Sequence, residues 1–238
     1  MNGVIEHLEA LRRMFFKIFA AFAILCIPCW IFSGKMVNAL IRYAAPEEFT
    51  LHYFSLMEPF FVRLELTMVA AAFISFPLTV AFVWEFIRPA LKDEEVIKLR
   101  LPLFLVIVLA FAGGAAALFG MVPAVMDFSL SLADGEFTPT IGIGNFVSLV
   151  LGMVIAGMLV FQFPLIVYAL LVLKVVSLDT MRRCRRWIVV IILIVAGIFT
   201  PPDLASQVLM ALPCYLLFEA ALFIYALRNR KKVVSGEQ

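Results

Sequence analysis

Five stretches of mostly apolar, nearly uncharged residues divide this chain: 14–32, 66–87, 101–125, 146–173 and 204–227. Each is close to or above the roughly 20 residues that a helix needs to cross a hydrocarbon core about 30 Å thick. Composition says the same. Only 15% of the 238 residues are charged and 64% are hydrophobic, with a mean hydropathy of +1.07. A soluble domain carries roughly 25% charged residues, which it needs to cover its surface. This chain must be covered by lipid.

A sixth apolar run, 187–199, is shorter. Its 13 residues reach only about 20 Å at a helical rise of about 1.5 Å. It has to borrow length from flanking polar turns or thin the bilayer locally. The first run is too long for the apolar part of a cleavable signal and ends in Phe32-Ser33-Gly34 without a small-x-small site, so it reads as a retained span.

Lysine and arginine set the orientation. The N-terminal tail, segments 88–100 and 174–186 and the C-terminal tail hold fifteen of the nineteen basic residues. The alternate loops 33–65, 126–145 and 200–203 hold Lys35, Arg42 and Arg63, and Lys17 lies inside the first run. Alternation holds only if the short run also crosses. The expectation is an all-α, polytopic membrane protein with six transmembrane helices and both termini cytoplasmic. Residues 1–238 form a single membrane domain with no internal repeat, which weakens an inverted-repeat transporter.

Few residues carry chemistry. His7 and His52 are the only histidines, too few for a histidine metal site or a hydrolytic triad. No phosphate-binding glycine loop is present. No metal, cofactor or nucleic-acid partner is expected. Cys26-Ile27-Pro28-Cys29 has the spacing of a redox pair, against the simpler reading of two small side chains in a proline-bent helix. Gln162, beside Pro164, either lines a wet cavity or bonds a neighbouring helix. Glu219, two-thirds along the last run, either pairs with a basic group or packs protonated. Arg182, Arg183, Arg185 and Arg186 read as a topology anchor facing anionic lipid. Asp93-Glu94-Glu95, with Glu6 and Glu9 in the N-terminal tail, places acids on an otherwise basic side, where they suit a cationic partner or a solvated turn.

Five motifs, in order, resemble the TatC family, the multispanning core of the twin-arginine protein translocase. His7-Leu8-Glu9-Ala10-Leu11-Arg12 resembles H-L-x-E-L-R, and Glu58-Pro59-Phe60-Phe61 resembles the segment before the second span. Trp84-Glu85-Phe86-Ile87-Arg88-Pro89-Ala90-Leu91 with Glu95 resembles W-x-F-I-x-P-A-L-x-x-x-E. Phe161-Gln162-Phe163-Pro164 resembles F-E-x-P, and Thr200-Pro201-Pro202-Asp203 with Ser206-Gln207 resembles T-P-P-D-x-x-S-Q. Three positions depart from the pattern: Ala10 and Gln162 stand where the family has glutamate, and Ala39 where it tends to have proline.

The resemblance implies a concave, glove-shaped bundle of six helices in the bacterial cytoplasmic (inner) membrane. It implies a receptor and translocase core without catalysis, binding twin-arginine signal peptides of folded precursors at the cytoplasmic face. It also implies export driven by the proton-motive force, single-span TatA- and TatB-type partners, contact with membrane lipid, and self-association in a multimeric receptor complex. On this reading Glu95, Glu9, Leu8, Arg12, Phe86 and Pro89 bind the signal peptide. Gln162, Pro164 and Glu219 are intramembrane polar or partner contacts, and Pro201, Pro202, Asp203 and Gln207 form a periplasmic hairpin. The alternatives are a membrane thiol–disulfide carrier using Cys26 and Cys29, or a small-solute transporter centred on Gln162 and Glu219.

Overall fold

The computed structural model describes residues 2–45, 50–132, 140–199 and 204–234. Along the chain they form α1 (Asn2–Ala44), β1 (Thr50–His52), α2 (Glu58–Ile87), α3 (Asp93–Ala116), α4 (Val122–Leu132) and β2 (Thr140–Gly142). Then come α5 (Ile143–Val160), α6 (Phe163–Val172), α7 (Leu178–Arg183), α8 (Arg185–Phe199) and α9 (Leu204–Val234). Inside lipid every backbone N–H and C=O must be bonded within its own segment, so each apolar run becomes helix. Among the described residues four helical stretches are long and apolar enough to cross a membrane: Glu6–Ala44, Glu58–Ala90, Leu99–Ser129 and Ile143–Val172. A shorter apolar helix covers Ala211–Leu227. The chain is an all-α, polytopic membrane protein.

The helices run well past the apolar runs. The 43 residues of α1 reach about 65 Å, twice a hydrocarbon core, so both ends stand in water or headgroups. Prolines within helices (Pro28, Pro77, Pro102 and Pro213) do not end them. Pro164 does interrupt: α5 stops at Val160 and α6 starts at Phe163. A proline has no N–H for the carbonyl four residues earlier. That carbonyl belongs to Val160, and the Cys214 thiol donates to it at 3.4 Å.

The chain resolves into two compact units. The first comprises Met1–Lys92 and Met126–Leu151. Its main feature is an antiparallel pairing of α1 with α2, seen in contacts that step oppositely along the two helices: Lys17 with Glu85 and Gly34 near Arg63. Val62, Leu66, Ala71 and Val80 of α2 are buried, as are Cys29 and Val37 of α1. Thr67 and Ser75, buried hydroxyls on α2, donate to the carbonyls of Arg63 and Ala72 at 2.7 and 3.1 Å, so neither is left unsatisfied. The opposite face of α1 is bare: Phe15, Phe16, Phe19, Ile27 and Ile31 are exposed, as expected of a helix whose solvent on that side is lipid.

At the far end of this hairpin β1 and β2 pair in parallel, Thr50 opposite Thr140 and His52 opposite Gly142. The Glu58 carboxylate ties this end together. It accepts from the backbone N–H groups of Phe54 (2.6 Å), Ser55 (3.3 Å) and Gly144 (2.8 Å). One side chain thus satisfies two donors of the turn that leads into α2 and one orphan donor at the start of α5. Ser148 of α5 adds a bond to Glu65 of α2 at 2.6 Å.

The second unit comprises Asp93–Val125 and Gly152–Gln238. Here α3 and α5 meet backbone to backbone: a Cβ placed on Gly157 would lie 2.5 Å from the Gly113 carbonyl oxygen and 2.8 Å from the Ala117 Cβ. Only glycines permit that approach. A five-residue π turn, Ala117–Met121, follows at once. Helix α9 runs beside α6, with Phe163 against Phe218 and Tyr168 against Tyr225, and antiparallel to α8.

After α6 the chain turns through Lys174, at φ 56°. Its left-handed conformation lets the Val175 N–H reach the Leu170 carbonyl at 3.0 Å, closing the helix end. A non-glycine residue there costs roughly 1 kcal/mol. Lys174→Gly is therefore expected to raise the melting temperature of the detergent-solubilised protein by a few degrees; a lower one would refute this account of the turn.

Candidate functional site

In the first unit, the N-terminal turns of α1 and the last turns of α2 enclose an open cavity of about 460 Å³, lined by Glu6, Glu9, Ala10, Arg13, Met14, Lys17, Phe82, Glu85 and Phe86. Its walls are held by one ion pair. Lys17 Nζ sits 2.9 and 2.8 Å from the two Glu85 carboxylate oxygens and 5.6 Å from the centre of the Phe82 ring. Both side chains are exposed, so the pair orients the helices more than it stabilises them. His7 packs against Phe86 with ring centroids 5.0 Å apart, and Glu9 lies 3.7 Å from Arg13 one turn on.

Three carboxylates and two cations face this cavity, and both cations have an acidic neighbour. The balance is acidic, with an aromatic floor. Such a cleft takes a cation carried on an apolar chain: the carboxylates offer charge-assisted bonds, and Phe82, Phe86 and Met14 offer apolar contact.

Of the residues singled out from sequence, Glu9 and Phe86 line the cleft. Leu8 and Arg12 are exposed on α1, and Pro89 is exposed in the short 3-10 turn Arg88–Ala90 that ends α2. Glu95 lies in the first turn of α3, in the other unit; its side chain lies outside the described residues, as do Pro201, Pro202 and Asp203. Lys17 and Glu85 were not singled out. Their signal was there: an ionisable residue inside an apolar run needs a partner, and in an antiparallel hairpin the start of one run meets the end of the next.

The comparisons with known proteins agree on one family. The family described as Sec-independent protein translocase protein (TatC) matches residues 6–213. The chain belongs to the TatC family. It is 30% identical over 234 residues to a protein of Carboxydothermus hydrogenoformans named Sec-independent protein translocase protein TatC, covering 98% of this chain and 96% of that one. It is 35% identical over 231 residues to the protein of that name in Halothiobacillus neapolitanus, 94% of this chain but 62% of that longer relative. Among solved structures, that of the twin arginine translocase receptor TatC in DDM superposes with a TM-score of 0.82 at 28% identity, covering 92% of this chain and 98% of that one. The relatives' names describe transport rather than catalysis.

Two of the departures from the TatC pattern can be placed. Ala10 lines the cleft beside Glu6 and Glu9, so the missing glutamate would have pointed into the same space that its two neighbours still make acidic. Gln162 donates from Nε2 to the Val106 carbonyl of α3 at 3.1 Å. Of the two readings of this residue, the structure has the helix–helix bond. A carboxylate here could make that bond only when protonated.

Glu219 is paired. One oxygen lies 2.8 Å from Arg185 Nη2, and Tyr215 donates to the other at 3.0 Å. So Arg185, read with its neighbours as a topology anchor, also ties α8 to α9. Both side chains are partly exposed, and a polar pair between membrane helices contributes about 1 kcal/mol. A double-mutant cycle with Arg185→Leu and Glu219→Leu, read by chemical unfolding in detergent, is expected to give a coupling of about that size. Zero coupling would remove the pair as a stabilising link.

Gln207 closes the other end of the same helix pair. Its Nε2 donates to the Leu193 carbonyl of α8 at 2.6 Å, and Gly197 leaves room for it: a Cβ there would lie 2.8 Å from that nitrogen. Cys26 and Cys29 stand one turn apart on α1 as free thiols, Cys29 buried; Cys184 and Cys214 are free as well. Among the described residues no group of three His, Cys, Asp or Glu side chains is arranged to hold a metal ion.

Proposed function

We propose that this chain is the receptor and translocase core of a twin-arginine export system. It sits in the bacterial cytoplasmic membrane with both termini cytoplasmic, as one membrane domain. It binds the twin-arginine signal peptides of folded precursors and passes them outward with TatA- and TatB-type partners, driven by the proton-motive force. The observation that carries this reading is the acidic, aromatic-floored cleft at the end of the α1–α2 hairpin. Two stretches of the family's motif set build it: Glu9 and Ala10 from the first, Glu85 and Phe86 from the third.

The physics favours such a site. A guanidinium costs about 2.5–3.5 kcal/mol to place at the bilayer centre, so two adjacent arginines stay at the surface while the apolar part of a signal enters. Carboxylates on long helices that project past the hydrocarbon can hold them there. Glu95, matching the acid of the third motif, is the second expected anchor, with Leu8, Arg12 and Pro89 flanking. Gln162, Pro164 and Glu219 would serve contacts within the membrane, and Pro201, Pro202, Asp203 and Gln207 the outer hairpin.

A photoreactive residue at position 10, in membranes holding the partner subunits, tests this. Crosslinking to a precursor with Arg-Arg in its signal, lost when the pair is Lys-Lys, is the expected result. Equal crosslinking to both, with the protein correctly inserted, would overturn the assignment of the cleft.

A further inference from the structure

At the opposite end of the α1–α2 hairpin lies a second cavity, of about 360 Å³, lined by Trp30, Ile31, Ser33, Gly34, Lys35, Val37, Asn38 and Arg63. Its charge is one-sided. Lys35 and Arg63 both line it, and among the described residues no acidic one does. Among the described residues neither has an ion-pair partner; Lys35 makes only a contact with the Phe32 ring, 5.9 Å from its centre. Ser33 is spoken for, donating to the Trp30 carbonyl at 2.7 Å. The Asn38 amide and the two cations remain as donors.

The depth of these groups is what identifies the ligand. Lys35 comes three residues after Phe32, where the first apolar run ends, and Arg63 three residues before Leu66, where the second begins. On antiparallel helices both cations therefore stand about 4.5 Å beyond the hydrocarbon boundary, level with one another. Trp30, at the boundary itself, is the residue type that marks that level, and Ile31, largely exposed, continues the wall into the hydrocarbon. Basic groups above and apolar groups below match a phosphate joined to acyl chains. Gly34 lies directly beside the Arg63 side chain: a Cβ placed there would be in ordinary contact with the guanidinium, at 3.5 Å. Lys35 and Arg63 are two of only three basic residues in the loops of this side, where positive charge does nothing for topology. Their convergence on one cavity needs another reason.

We propose that this cavity binds the phosphate of an anionic phospholipid headgroup, held by Lys35 and Arg63 with its acyl chains along Trp30 and Ile31. A bound lipid would brace the α1–α2 hairpin at the end opposite the acidic cleft.

The test is native mass spectrometry of the intact protein released from nanodiscs of phosphatidylglycerol mixed with phosphatidylcholine. The wild type is expected to retain one phosphatidylglycerol in preference to phosphatidylcholine. A basic residue at a charged lipid surface contributes about fivefold to binding, so K35Q/R63Q should weaken retention by about 25-fold. K35R/R63K should keep it, which separates lost charge from lost fold. R42Q, a basic residue of the same loop outside the cavity, should leave it unchanged. Equal loss in R42Q and K35Q/R63Q, or no preference for phosphatidylglycerol in the wild type, would overturn the site. So would displacement of the lipid by millimolar inorganic phosphate, since the cavity would then be a free-phosphate site.

Discussion

Gly157→Val should leave almost no folded protein in the membrane. A Cβ at this position already falls 2.5 Å from the Gly113 carbonyl oxygen and 2.8 Å from the Ala117 Cβ, so valine must push α3 and α5 apart where they touch. Neither obstacle is a flexible side-chain tip that swings aside; one is backbone and the other the first atom off it. Over-packing a well-ordered core costs about 1–3 kcal/mol when side chains can adjust, and here the strain exceeds that range. Separating the helices also puts the Gln162–Val106 bond at risk, because it joins α3 to the break between α5 and α6. Gly152, on the same helix, is the control. Nothing lies within 4 Å of a Cβ placed there, so Gly152→Ala is expected to be neutral or slightly stabilising through helix propensity. Size-exclusion chromatography of detergent extracts and melting temperatures would check both. A Gly157→Val protein with wild-type yield and melting temperature would refute the close packing of α3 on α5.

The second large effect concerns precursor binding. Glu9→Gln combined with Glu95→Gln is expected to lower affinity for an Arg-Arg signal peptide by about 10- to 100-fold, since each charge-assisted bond contributes about 1.5–3 kcal/mol before solvent screening. Melting temperature should hardly change, because among the described residues Glu9 pairs only with Arg13, at 3.7 Å on an exposed face. Ala10→Glu should act in the opposite direction, adding a third carboxylate of the N-terminal turns to the cleft. Glu85→Gln differs from both: it leaves Lys17 unpaired within the cleft, so binding falls through repulsion and the helix pairing loosens with it. Titration of a fluorescent signal peptide against the purified variants reads all of these. Unchanged affinity in the Glu9/Glu95 double variant would dismiss these two carboxylates as the arginine receptor.

How far the sequence alone reaches is clear from particular residues. The apolar runs, the bend at Pro164 and the bias of fifteen basic residues to one side are legible because a bilayer imposes them along a line. Length, charge and the missing proline N–H act within one segment, whatever its neighbours do. The motifs around His7, Trp84 and Pro164 were legible for the same reason, as strings in order. Which faces meet is a different question, and only the tertiary structure answered it. Glu58 read as a position in a motif, yet its carboxylate gathers the starts of α2 and α5. Cys214 read as one of four thiols, yet it fills the hydrogen bond that Pro164 leaves open, fifty residues away in the chain. Gln162 and Glu219 each had two readings, and the choice fell to Val106 and Arg185, partners set by helix rotation and depth. A polar group in lipid must find a partner; the sequence states that requirement, and the packing of one helix on another decides which partner meets it.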